Sequence, residues 1–105
     1  MPDRVAKYGE MKKHTLKTIN PYFEAAWSGV KTFEVRKNDR DFNVGDRVDL
    51  VEYEAESDNF TGRAIRAEIT YILEGFDAVK PDYVVFAFAK KAHLAQGEVV
   101  KMQAE

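Results

Sequence analysis

Short segments in which apolar and polar residues alternate recur along this chain, and turn-forming residues separate them. The alternating segments are residues 14–19, 32–36, 47–54 and 64–73, and residues 83–89 are apolar on both faces. A period of two residues is typical of β-strands, and an apolar run on both faces is typical of a strand covered on both sides. With one helix after the first strand, the order is β-α-β-β-β-β. Strands at this spacing favour a small β-barrel, an α+β fold that is mainly β, over a layered parallel sheet.

The single predicted helix, residues 21–28, is delimited by the residues that flank it. Asn20 is a good N-cap, and Pro21 suits the first helical position because its missing N–H costs no hydrogen bond there. Gly29 suits the C-terminal end because glycine adopts the left-handed conformation without a steric cost. Spacing of i, i+3 and i+4 places on one apolar face the residues Phe23, Ala26 and Trp27.

The size and composition of the chain fit one soluble domain. It has 105 residues, of which 45% are hydrophobic and 32% charged. We assign residues 13–92 to the domain, residues 1–12 to a polar N-terminal arm and residues 93–105 to a C-terminal tail. No segment approaches the roughly 20 apolar residues that span a bilayer, and the first residues lack the apolar core of a signal peptide. With no cysteine in the chain, these features predict a cytoplasmic protein.

Charge is unevenly distributed between the two halves of the chain. The formal net charge of −2 gives no general attraction to nucleic acid. Residues 1–48 carry ten Lys and Arg against seven Asp and Glu, whereas residues 49–105 carry six against eleven. A polyanion is therefore expected to prefer the first half, where the local field matters more than the net charge.

The densest cluster of charge lies at the second predicted strand, residues 32–36. Phe33 and Val35 lie on one side of this strand, and the other side carries Thr32, Glu34 and Arg36. Lys31 precedes the strand, and five polar residues, 37–41, follow it. We therefore place the candidate active or binding site here.

The sequence lacks the usual signatures of a metal site, of a catalytic serine and of a phosphate-binding loop. His14 and His93 do not stand in a metal-ligand spacing, and His14 on a strand is interpreted as a packed or surface histidine. No Gly-x-Ser-x-Gly segment and no phosphate-binding glycine loop occur. We expect neither a metal nor a cofactor.

Two interpretations of the Lys31, Glu34 and Arg36 cluster remain open at this point. In the first, these residues form ion pairs on a surface strand, each worth only about 0.2–1 kcal/mol. In the second, a partly desolvated Lys31 acts as a base, Glu34 positions or deprotonates a water, and Arg36 holds an anion or a carbonyl. Tyr22 and Trp27 are similarly either core residues or rings that stack on a base. Basic residues that can bind phosphates follow in the loop, namely Arg36, Lys37 and Arg40.

Several segments together resemble a known family. They are His14-x-Leu16-Lys17, Pro21-Tyr22-Phe23, Gly29-x-Lys31 continuing through Phe42, Val44-Gly45-Asp46, Thr61-Gly62-Arg63 and Thr70 to Gly75. These segments are similar to the DUF3850 family, a bacterial and phage branch of the ASCH domain superfamily, over roughly residues 13 to 90. The resemblance implies a PUA-like β-barrel of about five or six strands with a helix after the first strand. It also implies a cleft beside the Gly-x-Lys-x-x-x-x-Arg segment for RNA or nucleotide-like ligands.

One enzymatic ASCH branch, the N4-acetylcytidine amidohydrolases, carries a Gly-Arg-Lys-Thr-x-Thr-x-Arg segment. Its lysine, its second threonine and a later glutamate form the catalytic group. Lys31, Thr32 and Arg36 match the lysine, the first threonine and the arginine, whereas Glu34 replaces the catalytic threonine. The later glutamate has no counterpart here. Either Glu34 takes over the base role and activates water, or the site only binds.

The leading hypothesis from the sequence is an amidohydrolase that acts on N4-acylated cytosine nucleosides, with Lys31 and Glu34 as catalytic residues. The residues expected to bind the substrate are Tyr22, Trp27, Thr32, Arg36, Lys37 and Arg40. The alternative is a non-catalytic RNA-binding ASCH module, and a third hypothesis is an accessory protein that binds another protein. The preferred acyl group, the choice between free nucleoside and RNA, and the oligomeric state stay open.

Overall fold

The computed structural model describes residues 11–94. The elements in chain order are β1 (Lys13–Thr18), α1 (Tyr22–Trp27), β2 (Phe33–Lys37), β3 (Arg47–Glu54), β4 (Asn59–Leu73) and β5 (Tyr83–Leu94). Most of the predicted N-terminal arm and C-terminal tail, residues 1–10 and 95–105, lies outside the described residues. Between residues 11 and 94, no helix has the length and apolar character needed to cross a membrane.

The five strands form one sheet that curls into a half-barrel. The strand order is β1-β3-β4-β5-β2, in which β1 and β3 are parallel and the other neighbours are antiparallel. The predicted fold, mainly β with one helix after the first strand, is confirmed. In the described part of the chain, β1 and β2 are the two edges of the sheet. The curl therefore leaves a gap between these two strands.

The main hydrophobic core lies on the concave face of the half-barrel. Leu16 and Thr18 of β1 point inward as their alternation predicts, with 3% and 2% of their surface exposed. The fully buried side chains at the centre of this core include Phe23, Val48, Leu50, Ile65, Ile69 and Phe86. A second, smaller cluster on the opposite face explains why β3 is buried on both sides, and it consists of Val51, Ala64 and Leu94.

The helix α1 closes one side of this core. It is one residue shorter at each end than the predicted residues 21–28, so that the N-cap is Pro21 and not Asn20 as predicted. The side-chain oxygen of Asn20 accepts a hydrogen bond from the backbone N–H of Glu24 at 2.9 Å, and Gly29 has the expected positive φ of 92°. Phe23 and Ala26 are buried and Trp27 packs against them, which confirms the predicted apolar face.

A β-bulge changes the orientation of the last residues of β4. The alternation of residues 64–73 predicts that Tyr71 and Leu73 share the face of Ile69. Instead, a register shift between Ile69 and Tyr71 turns Ile72 into the core, where it is 5% exposed. Tyr71 and Leu73 lie on the outer face and are 47% and 37% exposed. One extra residue in a strand exchanges the two faces of everything that follows, because side chains alternate with a period of two.

The last strand is longer than the apolar run of residues 83–89 indicates. β5 continues through Lys90 to Leu94, and it therefore includes residues 93 and 94 of the predicted C-terminal tail. The Lys90 ammonium donates to the backbone carbonyls of Ala26 and Trp27, at 3.3 and 2.7 Å. A cation at a helix C-terminus satisfies carbonyls that have no partner within the helix. The polar Lys90 therefore has a structural role in β5, since it binds the carbonyl groups at the C-terminal end of α1.

A partly buried ion pair holds α1 against β3 and β4. Arg63 donates from Nε and Nη2 to the two carboxylate oxygens of Glu52, at 2.9 and 3.0 Å. Thr61 and Asn20 donate to the same carboxylate, and Arg63 also bonds Glu24 of the helix. The hydrogen bonds from Arg63 outweigh desolvation and lower the pKa of Glu52 from 4.5 to about 2.

We expect this cluster to make folding stability depend on pH below about 4.5. The depressed pKa of Glu52 stabilises the folded state fully above 4.5, and this stabilisation is lost as the pH falls toward 2. The expected loss is roughly 3 kcal/mol. Urea unfolding between pH 7 and pH 2 measures it, with Glu52→Gln as the variant and the exposed Glu56→Gln as the matched control. Equal pH dependence in the wild type and Glu52→Gln would contradict the assignment.

Candidate functional site

The gap between β1 and β2 forms a cavity of about 650 Å³. This volume falls within the range of about 300–1,000 Å³ that is usual for small-molecule sites. Its lining comes from the end of β1, the start of α1, Lys31 and β2, and consists of Lys17, Thr18, Ile19, Tyr22, Lys31, Phe33, Glu34, Val35 and Arg36. We call this cavity the edge cleft. It coincides with the charged segment that the sequence singles out.

A buried carboxylate, that of Glu34, lies in the lining of the edge cleft. Glu34 is 3% exposed, and each of its oxygens meets a cation. The Lys31 ammonium donates to Oε2, and Arg36 donates from Nε to Oε1 at 2.9 Å. The exposed fractions of the Lys31 and Arg36 side chains are 15% and 24%. The three groups therefore form a compact, largely desolvated ion cluster that is open to the cleft on its cationic side.

The burial of Glu34 follows from the position of β2 in the sheet. Glu34 is the cross-strand partner of Phe86, a fully buried core residue of β5, so both side chains face the concave side. Phe33 and Val35 face the outside and are 46% and 57% exposed. The polar side of this strand is thus the buried side. The ion pairs that the first interpretation expects are present, but they form at a buried carboxylate and not on an exposed surface.

Arg36 connects the two edges of the sheet across the cleft. Its Nη2 donates to the hydroxyl of Thr18 on β1 at 3.1 Å. That hydroxyl in turn donates to the backbone carbonyl of Leu16 at 3.1 Å. Because its proton is committed to this carbonyl, the Thr18 hydroxyl is held as a structural acceptor for Arg36 and is not activated as a nucleophile.

The backbone of β2 also contributes polar groups to the edge cleft. Hydrogen bonds from Phe88 N–H to the Thr32 carbonyl and from Asn38 N–H to the Asp82 carbonyl identify the residues of β2 that bond to β5. In an antiparallel pair, such residues alternate with residues whose N–H and C=O groups point to the other side. The backbone groups of Phe33 and Val35 therefore point toward the cleft. They offer donors and acceptors in fixed positions.

The structure brings together only some of the residues that the sequence assigns to the site. Lys31, Glu34, Arg36 and Tyr22 line the edge cleft, and the Tyr22 ring at its wall is 55% exposed. The predicted residues outside this lining are Trp27, Thr32, Lys37 and Arg40.

Each of these four residues has a different environment. The Trp27 ring stacks on His93 with ring centroids 3.7 Å apart, and the Arg63 guanidinium lies 4.6 Å from it. Thr32 and Lys37 are exposed at the two ends of β2. Arg40 donates to the Thr15 carbonyl at 2.9 Å, which ties the charged loop to β1.

The sequence analysis did not assign five of the residues that line the edge cleft. The sequence carries a signal for some of them and none for others. Thr18 is predicted to point inward, but its partner Arg36 stands 18 residues away. Lys17 has an ammonium 4.5 Å above the Tyr53 ring, a contact that has no sequence signal. The other three, Ile19, Phe33 and Val35, form the apolar walls of the cleft.

The side chains that line the edge cleft carry more positive than negative charge. Lys17, Lys31 and Arg36 oppose one carboxylate, that of Glu34. Among residues 11–94, no group of three or more His, Asp and Glu residues is placed to hold a metal ion. His14 is packed, 6% exposed, with its Nε2 at 2.8 Å from Asp46 Oδ2. The arrangement suits a ligand that presents a carbonyl or other electron-rich group to the cations.

Comparisons with known proteins identify the family of this chain. The model of a family described as a domain of unknown function, DUF3850, matches residues 13–88, which include every residue that lines the edge cleft. The chain is also 33% identical over 91 residues to a protein of Escherichia phage P2, described as an uncharacterized 12.9 kDa protein in the GpA 3′ region. That match covers 87% of this chain and 75% of the phage protein. The chain therefore belongs to the DUF3850 family.

Proposed function

We propose that this protein is a small amidohydrolase that removes the acyl group from N4-acylated cytosine nucleosides. The observation that carries the proposal is the Lys31–Glu34 pair, a buried carboxylate in contact with a lysine at the wall of a cleft of nucleoside size. The similarity of the Gly29 to Arg36 segment to the N4-acetylcytidine amidohydrolases of the ASCH superfamily supports it. We propose that the activity is cytosolic, since a chain without cysteine is compatible with a reducing compartment.

In the proposed mechanism, the amide carbonyl of the substrate accepts a hydrogen bond from the Lys31 ammonium. This interaction draws the ammonium away from Glu34 Oε2 and frees that oxygen to bind a water. Glu34 removes a proton from the water as its oxygen bonds to the carbonyl carbon. The positive charge of Lys31 stabilises the oxyanion of the tetrahedral intermediate, as an oxyanion hole does.

The intermediate then collapses to products. The bond between the carbonyl carbon and N4 breaks, and the protonated Glu34 returns its proton to N4, which leaves as the amino group of cytosine. The products are the free nucleoside and a carboxylic acid, and the carboxylate of Glu34 is regenerated. Arg36 holds Glu34 Oε1 throughout, so that the reacting oxygen stays oriented toward the cleft.

The half-exposed ring of Tyr22 is assigned to stacking on the pyrimidine. It lies at the N-terminal end of α1, and it lines the edge cleft opposite β2. We expect Tyr22→Ala to raise the KM for N4-acetylcytidine about 10-fold with little change in kcat, since base–aromatic stacking is worth about 1–3 kcal/mol. Tyr22→Phe keeps the ring and is expected to keep the KM. Steady-state kinetics measure both, and an unchanged KM in Tyr22→Ala would contradict this role.

The first experiment is absorbance-monitored hydrolysis of N4-acetylcytidine by the wild-type protein, extended to other acyl groups. Turnover establishes the amidohydrolase activity. No turnover across the series would rule it out for cytidine amides.

The excess of cations in the edge cleft favours one rival, a non-catalytic RNA-binding module. The two functions respond differently to salt. Binding through phosphates weakens steeply as ionic strength rises because counterions are released on binding, whereas turnover of an uncharged nucleoside is expected to change less than about two-fold between 50 and 200 mM salt. Titration of single-stranded RNA over the same salt range tests the rival, and steep salt dependence without turnover would favour it.

A further inference from the structure

The three cations that line the edge cleft differ in how their charge is compensated. Lys31 and Arg36 both bond the carboxylate of Glu34. Lys17, in contrast, forms no ion pair with any carboxylate of residues 11–94. The mechanism proposed above does not use Lys17, so that its charge has no assigned role.

Two aromatic rings hold the Lys17 ammonium in place. The ammonium lies 4.5 Å from the centroid of the Tyr53 ring and 5.9 Å from that of the Phe60 ring. Tyr53 and Phe60 are cross-strand partners on β3 and β4, and the Tyr53 hydroxyl donates to Asp58, which fixes that ring. Ring faces attract a cation without accepting the N–H groups that a carboxylate would occupy. The ammonium therefore has a defined position, and its three donors remain available to a ligand.

Lys17 lies at the mouth of the edge cleft, and the reacting pair lies at its floor. Side chains alternate along β1, so the exposed Lys17 points outward beside the buried Thr18. Thr18 bonds Arg36, which holds the buried Glu34. In cytosine, the ring atom that bears the sugar is opposite the carbon that bears N4. A base whose N4-acyl group meets Lys31 and Glu34 therefore directs its sugar outward, toward Lys17.

We propose that Lys17 binds a phosphate group of the substrate, so that the protein acts on monophosphates of N4-acylated cytidine in preference to the nucleosides. This inference rests on the proposed function, since it assumes that the acylated base occupies the edge cleft. Three cations against one carboxylate leave the lining with an excess of two positive charges. A phosphate monoester carries about −1.5 to −2 charges at pH 7. A monophosphate therefore neutralises an excess that an uncharged nucleoside leaves in place.

The surface beyond Tyr53 favours a terminal phosphate over a continuous RNA chain. A second hollow, of about 530 Å³, adjoins the edge cleft at Ile19, which lines both. The lining of this hollow includes Tyr53, Glu54 and Glu56. A chain that continued past Lys17 over Tyr53 would bring its next phosphate toward these carboxylates, and like charges repel. The free nucleotide is therefore the favoured source of the phosphate.

Steady-state kinetics with N4-acetylcytidine 5′-monophosphate and with N4-acetylcytidine measure the preference as a ratio of kcat/KM values. The wild type is expected to favour the monophosphate about 10- to 100-fold, the usual contribution of a hydrogen bond between charged groups. Lys17→Met is expected to abolish this preference, because methionine keeps an unbranched apolar side chain over Tyr53 but carries no charge. Lys13→Met is the matched control, since Lys13 is an exposed lysine on the same face of β1 but outside the lining. It is expected to change the ratio less than about two-fold.

A binding measurement distinguishes a failure of this inference from a failure of the proposed function. Calorimetric titration with cytidine 5′-monophosphate and with cytidine requires no catalysis, and the wild type is expected to bind the monophosphate about 10- to 100-fold more tightly. If neither acylated substrate is turned over, the proposed function is rejected, and this titration alone decides whether Lys17 binds phosphate. Equal affinity of the wild type for the two ligands would overturn the inference. A Lys17→Met protein that keeps the preference, with a native circular dichroism spectrum, would overturn it too.

A third substrate separates the two sources of the phosphate. N4-acetylcytidine placed inside a short single-stranded oligoribonucleotide carries phosphates on both sides of the reacting residue. The wild type is expected to turn it over more slowly than the monophosphate, because the chain continues toward Glu54 and Glu56. Faster turnover of the oligonucleotide would overturn the assignment of a terminal phosphate.

Discussion

Glu34→Gln is expected to reduce the turnover of N4-acetylcytidine by about 10²- to 10⁴-fold, the usual contribution of a positioned acid–base group. The amide is isosteric with the carboxylate, and its one oxygen still accepts a hydrogen bond from either Arg36 or Lys31. It cannot, however, remove a proton from water. Lys31→Met is expected to lose turnover to a similar extent, because the oxyanion then loses the cation to which the proposed mechanism binds it.

The controls for this prediction distinguish a loss of catalytic activity from a loss of the folded structure. Lys91→Met removes an exposed lysine of β5 that lies outside the edge cleft, and it is expected to keep full turnover. Circular dichroism and thermal melting establish that Glu34→Gln and Lys31→Met are folded. A folded Glu34→Gln enzyme that retains more than a tenth of wild-type turnover would exclude Glu34 as the base.

The second large effect is on stability. Asp46→Ala is expected to lower the free energy of unfolding by about 3–5 kcal/mol, a large part of the 5–15 kcal/mol that is usual for a domain. Asp46 is 0% exposed. Its Oδ1 accepts from the Lys12 backbone N–H at 3.0 Å, and its Oδ2 accepts from the Asn43 backbone N–H at 3.0 Å and lies 2.8 Å from His14 Nε2.

The size of this effect follows from what the substitution leaves behind. Without the carboxylate, two backbone N–H groups and the buried imidazole of His14 lose their acceptor, and an unsatisfied buried group costs about 1–3 kcal/mol. Urea denaturation measures the change. The matched control is Asp39→Ala, an exposed aspartate 3.8 Å from Arg40, for which a change below about 1 kcal/mol is expected. Equal stability of the two variants would show that Asp46 does not hold β1 to the loop before β3.

The local order of elements was predictable because it depends on neighbouring residues. The helix α1 follows from Asn20, Pro21 and Gly29, whose backbone preferences act over one or two residues. The alternation of residues along β1 predicts that Leu16 and Thr18 point to the concave face of the sheet. The position of the charged cluster at Lys31 and Glu34 was likewise visible, since these two residues are three positions apart.

Other features depended on pairing between distant segments. The β-bulge before Tyr71 is a property of the β4–β5 register, and it decides that Ile72 is buried and that Leu73 is exposed. The burial of Glu34 depends on its pairing with Phe86, 52 positions later. A hydrophobic pattern assigns the apolar side of a strand to the core, and here the pairing of β2 with β5 reverses that assignment, with Lys31 and Arg36 compensating the buried charge of Glu34.

Short-range periodicity and turn chemistry therefore encode the mainly β fold, the helix α1 and the residues of the ion cluster. Long-range pairing of the strands places β1 and β2 opposite each other as open edges, with Arg36 bonded to Thr18 between them. The same pairing brings Phe33, Val35, Tyr71 and Leu73 together on the outer face. Neither feature is visible in the sequence, because strand register and sheet curl arise from the packing of the whole core, which no local pattern contains.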